Sequence, residues 1–214
     1  MSSGKRDFDK EAATWDEEPR RVKLAKELFE AIRDQVPLKP SMAALDFGCG
    51  TGLVTLQLSP CVGQVTGVDS SQGMLEVIER KARSSQLTNV TTHRIDLESG
   101  DALDGSYDLV VSTMTLHHVR DITSLLAQFA RVIKPQGHIC LADLDSENGE
   151  FHGNNEGVFH NGFDRDQLKT ALSDAGFSGL TDRTAAEIIK PAADGKLKSF
   201  SVFLIAGRLA ESTK

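Results

Sequence analysis

The chain has 214 residues, 39% hydrophobic and 26% charged, the balance of a globular protein able to bury one core. Its 24 Lys and Arg against 31 Asp and Glu leave a formal net charge of -7, which excludes a general attraction to nucleic acid or to an anionic membrane surface. Cys49, Cys61 and Cys140 form no CxxC pair; such a set excludes a disulfide framework or zinc knuckle and points to reduced thiols.

In chain order, Met1 to Asp7 is polar and expected to be disordered. Phe8 to Trp15 reads as a short helix with Phe8, Ala12 and Trp15 on one side. A stronger helix runs from Glu18 to Gln35, with Pro19 in its first turn and Val22, Ala25, Leu28, Phe29 and Ile32 at helical spacing. Pro37 and Pro40 then break the chain. The apolar run Ala43-Ala44-Leu45 leads into Asp46 and on to Gly48, Gly50 and Gly52, after which Leu53, Val54, Leu56 and Leu58 recur at helical spacing. This pattern is strand, glycine loop, helix. Gln64 to Val68 is a second strand ending on Asp69, and Ser70 or Ser71 caps a helix carrying Met74, Leu75, Val77 and Ile78. Asn89 to Ile95 is a third strand, ending at Asp96, and Tyr107 to Ser112 is a fourth. Ile122 to Ile133 is helical, Pro135-Gln136-Gly137 is a turn, and His138 to Leu144 is a fifth strand. Ser146 to Gly162 is a polar, glycine-rich connection without period, long enough to read as a functional loop. Asp164 caps a helix to about Ala175, which Gly176 closes. Leu180 to Lys190 and Leu197 to Gly207 read as a hairpin around Asp194-Gly195, and Glu211 to Lys214 is a tail. No apolar run approaches a membrane span and no signal peptide opens the chain, so a cytoplasmic protein is expected.

Alternating strands and helices predict an α/β fold: a three-layer α/β/α sandwich around a mainly parallel seven-stranded sheet, with a C-terminal antiparallel hairpin and an N-terminal helical cap. In such a sheet the carboxyl ends of neighbouring strands share one crevice. Asp46, Asp69 and Asp96 end successive predicted strands there. A carboxylate after the second strand is placed to accept from both ribose hydroxyls. One after the third can accept from the exocyclic amine of adenine, with the Leu97 amide reaching a ring nitrogen. Asp46, just before the loop, is placed to hold an ammonium group. Three carboxylates suit an adenosine ligand with positive charge elsewhere and disfavour a diphosphate. S-adenosylmethionine is such a ligand. A dinucleotide oxidoreductase is the rival, but the sixth position of its GxGxxG fingerprint is Leu53 here.

The segments LDFGCGTG, VTGVDSSQGML, RIDLESG, YDLVVSTMTLHHV and RVIKPQGHICLAD, in that order, closely resemble the motifs of class I S-adenosylmethionine-dependent methyltransferases. The resemblance is to the small-molecule branch that includes the ubiquinone and menaquinone biosynthesis methyltransferases, and it covers roughly Ala43 to Asp143. It implies a Rossmann-like fold and S-adenosylmethionine as cofactor. It implies that Asp46, Gly48, Gly50 and Gly52 surround the methionine moiety, that Asp69 holds the ribose, and that Met74 packs on the adenine. Asp96 and Leu97 match the adenine-edge pair, and Ser112 the methionine end. Cys49, read as a small residue in a tight turn, and Ser70 are counted in the same cofactor site. The chain is then expected to be one methyltransferase domain: 1–40 tail and cap, 41–144 cofactor core, 145–163 substrate loop, 164–214 C-terminal helix and hairpin.

The reaction this implies is direct displacement of the methyl group onto a small-molecule acceptor, releasing S-adenosylhomocysteine, with no nucleic-acid or membrane partner. A base is needed only where the acceptor must lose a proton, and a histidine suits that task. The candidates are His117, His118, His152 and His160, with His118 preferred because the segment after the fourth strand borders the methyl group in the resembled family. Trp15, His152 and His160 are assigned to the substrate side, with Phe151, Phe159 and Phe163 as apolar walls. Trp15 either closes over the cofactor, with Arg20 or Arg21 near its carboxylate, or simply docks on the core. His152 and His160 with Asp143, Asp145 or Glu147 match no rigid ligand spacing, so no metal is assigned. Ser112-Thr113 stands where metal-dependent catechol-type relatives place an aspartate. A non-catalytic S-adenosylmethionine-binding module is the alternative. The acceptor atom and the oligomeric state are not legible.

Overall fold

The protein is described by a computed structural model over residues 7–191 and 195–211. Seven strands form one sheet: β1 Ala43–Phe47, β2 Gln64–Asp69, β3 Val90–Arg94, β4 Tyr107–Thr113, β5 Ile133–Leu144, β6 Phe177–Pro191 and β7 Leu197–Leu209, in the order β3-β2-β1-β4-β5-β7-β6. The first five are parallel, and β7 runs antiparallel to both β5 and β6. The strand order reverses between β1 and β4, so the loops leaving these two strands diverge and open a crevice at their carboxyl ends.

The central strands are apolar throughout because both sheet faces are covered. On one face Ala25, Leu28 and Ile32 of α2 (Pro19–Gln35) pack on Val65, Leu109, Val111 and Leu204. On the other, Leu125, Leu126 and Phe129 of α5 (Ile122–Val132) pack on Leu45, Val110, Ile139 and Phe203. Leu109, Val110 and Val111 thus alternate between faces, as a strand requires. Side chains cap the helix N-termini, Ser71 and Asp164 being of preferred N-cap type. Glu18 accepts from the Arg20 amide at α2, Ser71 from Met74 at α4 (Gln72–Ser84), and Asp164 from Asp166 and Gln167 at α6 (Arg165–Asp174).

The departures from the expected elements are local. The first helix is split into α1 (Phe8–Glu11) and a 3-10 turn, Ala12–Glu17. The helix after the glycine loop begins at Thr55, not Leu53, and α3 (Thr55–Leu58) passes into a 3-10 turn at Ser59–Cys61, where Pro60 cannot donate an α-helical hydrogen bond. Pro135-Gln136-Gly137 is not a turn before a strand. It lies within β5, where the ladder passes from Tyr107–Ile133 to Leu109–His138 and Gln136 takes φ +63°. Strands β6 and β7 begin or end beyond the expected hairpin, at Phe177 and Leu209. Of the tight turn, Asp194 lies outside the described residues, as do residues 1–6 of the leading segment and 212–214 of the tail.

The connection after β5 is pinched at its base. Phe163 N donates to Leu144 O at 2.9 Å and Ser146 N to Phe163 O at 3.1 Å. Such closed-ended loops pack on their own side chains, and this one reaches back to the segment after β4, where Phe159 N donates to His117 O at 2.9 Å. Among the described residues no helix is long and apolar enough to cross a membrane.

Candidate functional site

The glycine loop joins β1 to α3 and is folded onto the end of β2. Gly48 N and Cys49 N both donate to Val68 O, at 2.8 and 3.0 Å. Gly50 N donates to Asp69 Oδ2 at 2.9 Å, and Ser71 N to Asp69 Oδ1 at 2.9 Å, so one carboxylate ties the loop to the next strand. Gly48 and Gly50 take φ of +71° and +52°, a region open to glycine at little cost. A Cβ on Gly48 would lie 2.2 Å from Thr115, whereas a Cβ on Gly50 would meet nothing within 4 Å. The open space over Gly50 belongs to a cavity of about 1380 Å³ that runs from the loop to the segment after β4. It exceeds the ordinary range for one small ligand.

The electrostatics at the loop are set by buried carboxylates. Asp46 is 1% exposed; its Oδ2 accepts from Thr55 Oγ1 at 2.6 Å, and its Oδ1 has no hydrogen-bond partner among the described residues. Burial, with the charge of Asp69 adding to it, pushes Asp46 up to about 7. Burial also raises Asp69, against the backbone donors that favour its charge. The same burial and both carboxylates push the Cys49 thiol well up, so it is a neutral wall residue and no anionic nucleophile. Because Asp46 in the fold holds a proton that an unfolded chain releases near pH 3.8, its contribution favours the fold below that pH and is lost as pH rises to about 7. At about 1.4 kcal/mol per unit this amounts to roughly 4 kcal/mol. Asp46→Asn is therefore expected to remove most of the fall in stability between pH 5 and pH 8, while its carbonyl still accepts from Thr55. Urea unfolding at the two pH values checks this; equal slopes in variant and parent contradict it.

The N-terminal segment is bound to this site by two aspartates. Asp9 accepts from Ser71 Oγ at 2.6 Å and Gly73 N at 2.7 Å, at the start of α4, and these bonds hold its carboxyl below the usual range. Asp16 accepts from Thr51 Oγ1 at 2.6 Å and pairs with Lys81, which also donates to Thr51 O at 2.9 Å. Phe8, Ala12 and Trp15 pack on Met74 and Val77 of α4. The guanidinium of Arg21 lies 3.7 Å over the Trp15 ring. Phe8 and Trp15 thus dock on α4 and at the same time line the cavity. Arg20 lines the cavity while forked onto Glu18 at 2.9 and 3.0 Å.

At the far end, the 3-10 turn Leu116–His118 follows β4. His117 is 1% exposed, and its Nδ1 lies 2.7 Å from Oδ1 of Asp143, which is fully buried at the end of β5. His118 Nδ1 lies 2.7 Å from Gly157 O, and Phe8 meets the His118 ring edge-on at 5.4 Å. His152 comes from the long loop, its ring centroid 5.0 Å from His117 and 5.6 Å from His118.

Of the residues expected at the cofactor, Gly48, Cys49, Gly50, Asp69, Ser70, Met74, Asp96 and Leu97 line the cavity. Met74 is only 2% exposed and also fills the core, and Asp96 also caps the 3-10 turn Leu97–Ser99 through Glu98 N and Ser99 Oγ. Asp46, Gly52 and Ser112 do not line it. Asp46 lies beneath the loop, and Gly52 faces Ile78. Ser112 is fully buried with its Oγ unpartnered among the described residues, and Thr113, one residue on, lines the cavity instead. On the substrate side Trp15, His117, His118, His152 and Phe151 line the cavity, while His160, Phe159 and Phe163 do not. His160 Nε2 lies 2.9 Å from Val119 O, Phe159 lies 4.2 Å under the Arg120 guanidinium, and Phe163 packs in the core. Sequence reasoning missed Thr115, Asp143 as partner of His117, and the Asp9 and Asp16 anchors. Only the helical pattern of Phe8, Ala12 and Trp15 hinted at the last.

Residues 44–137 match the family described as a methyltransferase domain. An uncharacterized methyltransferase of Schizosaccharomyces pombe is 36% identical over 124 residues, 54% of this chain and 43% of the relative. A demethylmenaquinone methyltransferase of Staphylococcus saprophyticus is 37% identical over 119 residues, 51% of this chain and 48% of the relative. The chain thus spans less than half the length of these curated relatives. Phosphoethanolamine N-methyltransferase 2 of Haemonchus contortus, solved with S-adenosyl-L-methionine, shares the fold with a TM-score of 0.70 at 18% identity, over 87% of this chain and 53% of that one.

Proposed function

Through residues 44–137 the chain belongs to the class I S-adenosylmethionine-dependent methyltransferases, and on that basis we propose that it methylates a small molecule held at the histidine end of its cavity. The observation that carries this reading is the pair of carboxylates, Asp46 and Asp69, buried around a glycine loop. A cationic ligand would favour the charged forms that burial holds back, whereas a diphosphate would disfavour them further. S-adenosylmethionine is the cofactor, and it supplies a methyl group already activated on a sulfonium.

The residues present fit it. The space a Cβ would fill at Gly50 lets a ligand lie against the loop backbone. Each Asp69 oxygen accepts one backbone amide and has a second lone pair for a ribose hydroxyl. Asp96 and the Leu97 amide would meet the adenine edge, with Met74 under the ring. Asp46 and Asp69 would balance the ligand's positive charge from below and beside the loop. Phe8 and Trp15 line the cavity and would close over a bound cofactor; alignment of this kind is worth roughly 7–11 kcal/mol in a displacement. His117, held by Asp143, and His118, held by Gly157 O, keep fixed ring orientations toward the acceptor. Since a carbonyl only accepts, His118 donates through Nδ1 and its Nε2 lone pair is the group that would take an acceptor proton.

Calorimetry is expected to show S-adenosylmethionine and S-adenosylhomocysteine binding and NADH not binding. NADH binding without the other two overturns the reading. Labelled methyl transfer to a panel of phenols, quinols, amines and thiols then separates an enzyme from a module that only binds the cofactor.

A further inference from the structure

The cavity's far end holds a cluster that methyl transfer as such does not require. One ring nitrogen from each of His117, His118 and His152 lies within 4.8 Å of the other two. The three rings face one another, with centroids 4.2, 5.0 and 5.6 Å apart. They come from two separate stretches: the turn after β4 and the loop after β5.

We propose that these three histidines bind a divalent transition-metal ion of the zinc type. Three neutral imidazoles leave a coordination position open, as in catalytic sites for such ions. The outer contacts are those of metal-binding histidines. His117 donates through Nδ1 to the Asp143 carboxylate at 2.7 Å, and His118 through Nδ1 to Gly157 O at 2.7 Å. With Nδ1 donating, the lone pair of each neutral ring sits on Nε2, and the carboxylate and carbonyl fix the orientations of the two rings. Asp143 supplies a second argument. It is fully buried, and it accepts from the His117 ring, the His117 amide and, at 2.7 Å, the Leu144 amide. A buried carboxylate without a cation is costly, and a dication on the far side of the imidazole would offset that charge. Nitrogen ligands select zinc, cobalt, nickel or copper over magnesium or calcium. An ion here would use the Nε2 lone pairs and would itself, in place of His118, favour the deprotonated acceptor. That consequence rests on the methyltransferase reading; the binding of the ion does not.

The test is titration of the untagged full chain with Co(II), read by visible absorption without any methyl donor, followed by competition with Zn(II). One Co(II) per chain with intense d–d bands, displaced by Zn(II), is the expected result. His152→Gln and His118→Gln are each expected to weaken binding by at least about 10-fold, and Asp143→Asn by about 10- to 100-fold. The exposed His93→Gln serves as the control and leaves binding unchanged. Melting curves establish that each variant is folded, and His152, on a loop, is the safest of them. Absence of saturable binding by the parent, or equal binding by folded His152→Gln, overturns the proposal. Because no cofactor is present, that failure would leave the S-adenosylmethionine site untouched.

Discussion

Asp69→Asn is expected to raise the dissociation constant for S-adenosylmethionine by about 100-fold or more. Hydrogen bonds to a charged acceptor contribute about 1.5–3 kcal/mol each. Losing one such bond to a ribose hydroxyl and weakening the other to a neutral one removes about 3 kcal/mol, and each 1.4 kcal/mol is a factor of ten. The loop amplifies the effect, because Asp69 also receives Gly50 N and Ser71 N. An amide in its place turns one acceptor into a donor facing an amide. Stability should move little or rise, since burial already disfavours the charged form of Asp69. Calorimetry with a parallel melt distinguishes the two effects. A dissociation constant within threefold of the parent would show that Asp69 does not hold the cofactor.

Gly48→Ala is expected to damage the fold itself. The residue sits at φ +71°, and its new Cβ would lie 2.2 Å from both Cγ2 and Oγ1 of Thr115. The left-handed conformation costs roughly 1–2 kcal/mol and the overpacking roughly 1–3 more. For a chain of this size, with a few degrees lost per kcal/mol, the melting temperature should fall by roughly 5–15 °C. Thr115→Gly in the same chain should restore part of the loss, because the two side chains then no longer overlap. Gly50→Ala is the contrast. Its Cβ meets nothing within 4 Å, so only the conformational cost applies to stability. That Cβ occupies the space a ligand needs, and the expected loss is in cofactor affinity. Equal melting temperatures for the two alanine variants would refute this division of roles.

The fold was legible because its signals are local. Period-two and period-3.6 apolar patterns, the glycine loop and the capping residues Ser71 and Asp164 each act within a few residues. They were enough for seven strands, a mainly parallel sheet and the antiparallel hairpin. The misplacements were local too: α3 begins at Thr55, beyond the glycine loop, and Gln136 at positive φ stayed within β5. At the site, the loop and Asp69 could be read because each lies at the boundary between a strand and the next loop or helix. Ser112 and Thr113 could not be told apart, since one residue of strand reverses the face a side chain points to. Asp46 was recognised as an acid at the strand end, but its direction, down toward Thr55, was not.

Local patterning thus sufficed for the α/β alternation, the crevice and an acidic glycine-loop site suited to a cationic adenosine ligand. Strand order and register decided the rest. They set His117 against Asp143 across 26 positions, Thr51 against Asp16 across 35 and Ser71 against Asp9 across 62. They also brought His152 onto His117 and His118 while leaving His160 outside the cavity. The reason is physical. Periodicity encodes which face of an element is apolar, whereas a contact between polar side chains far apart in the chain depends on which elements become neighbours and at what register.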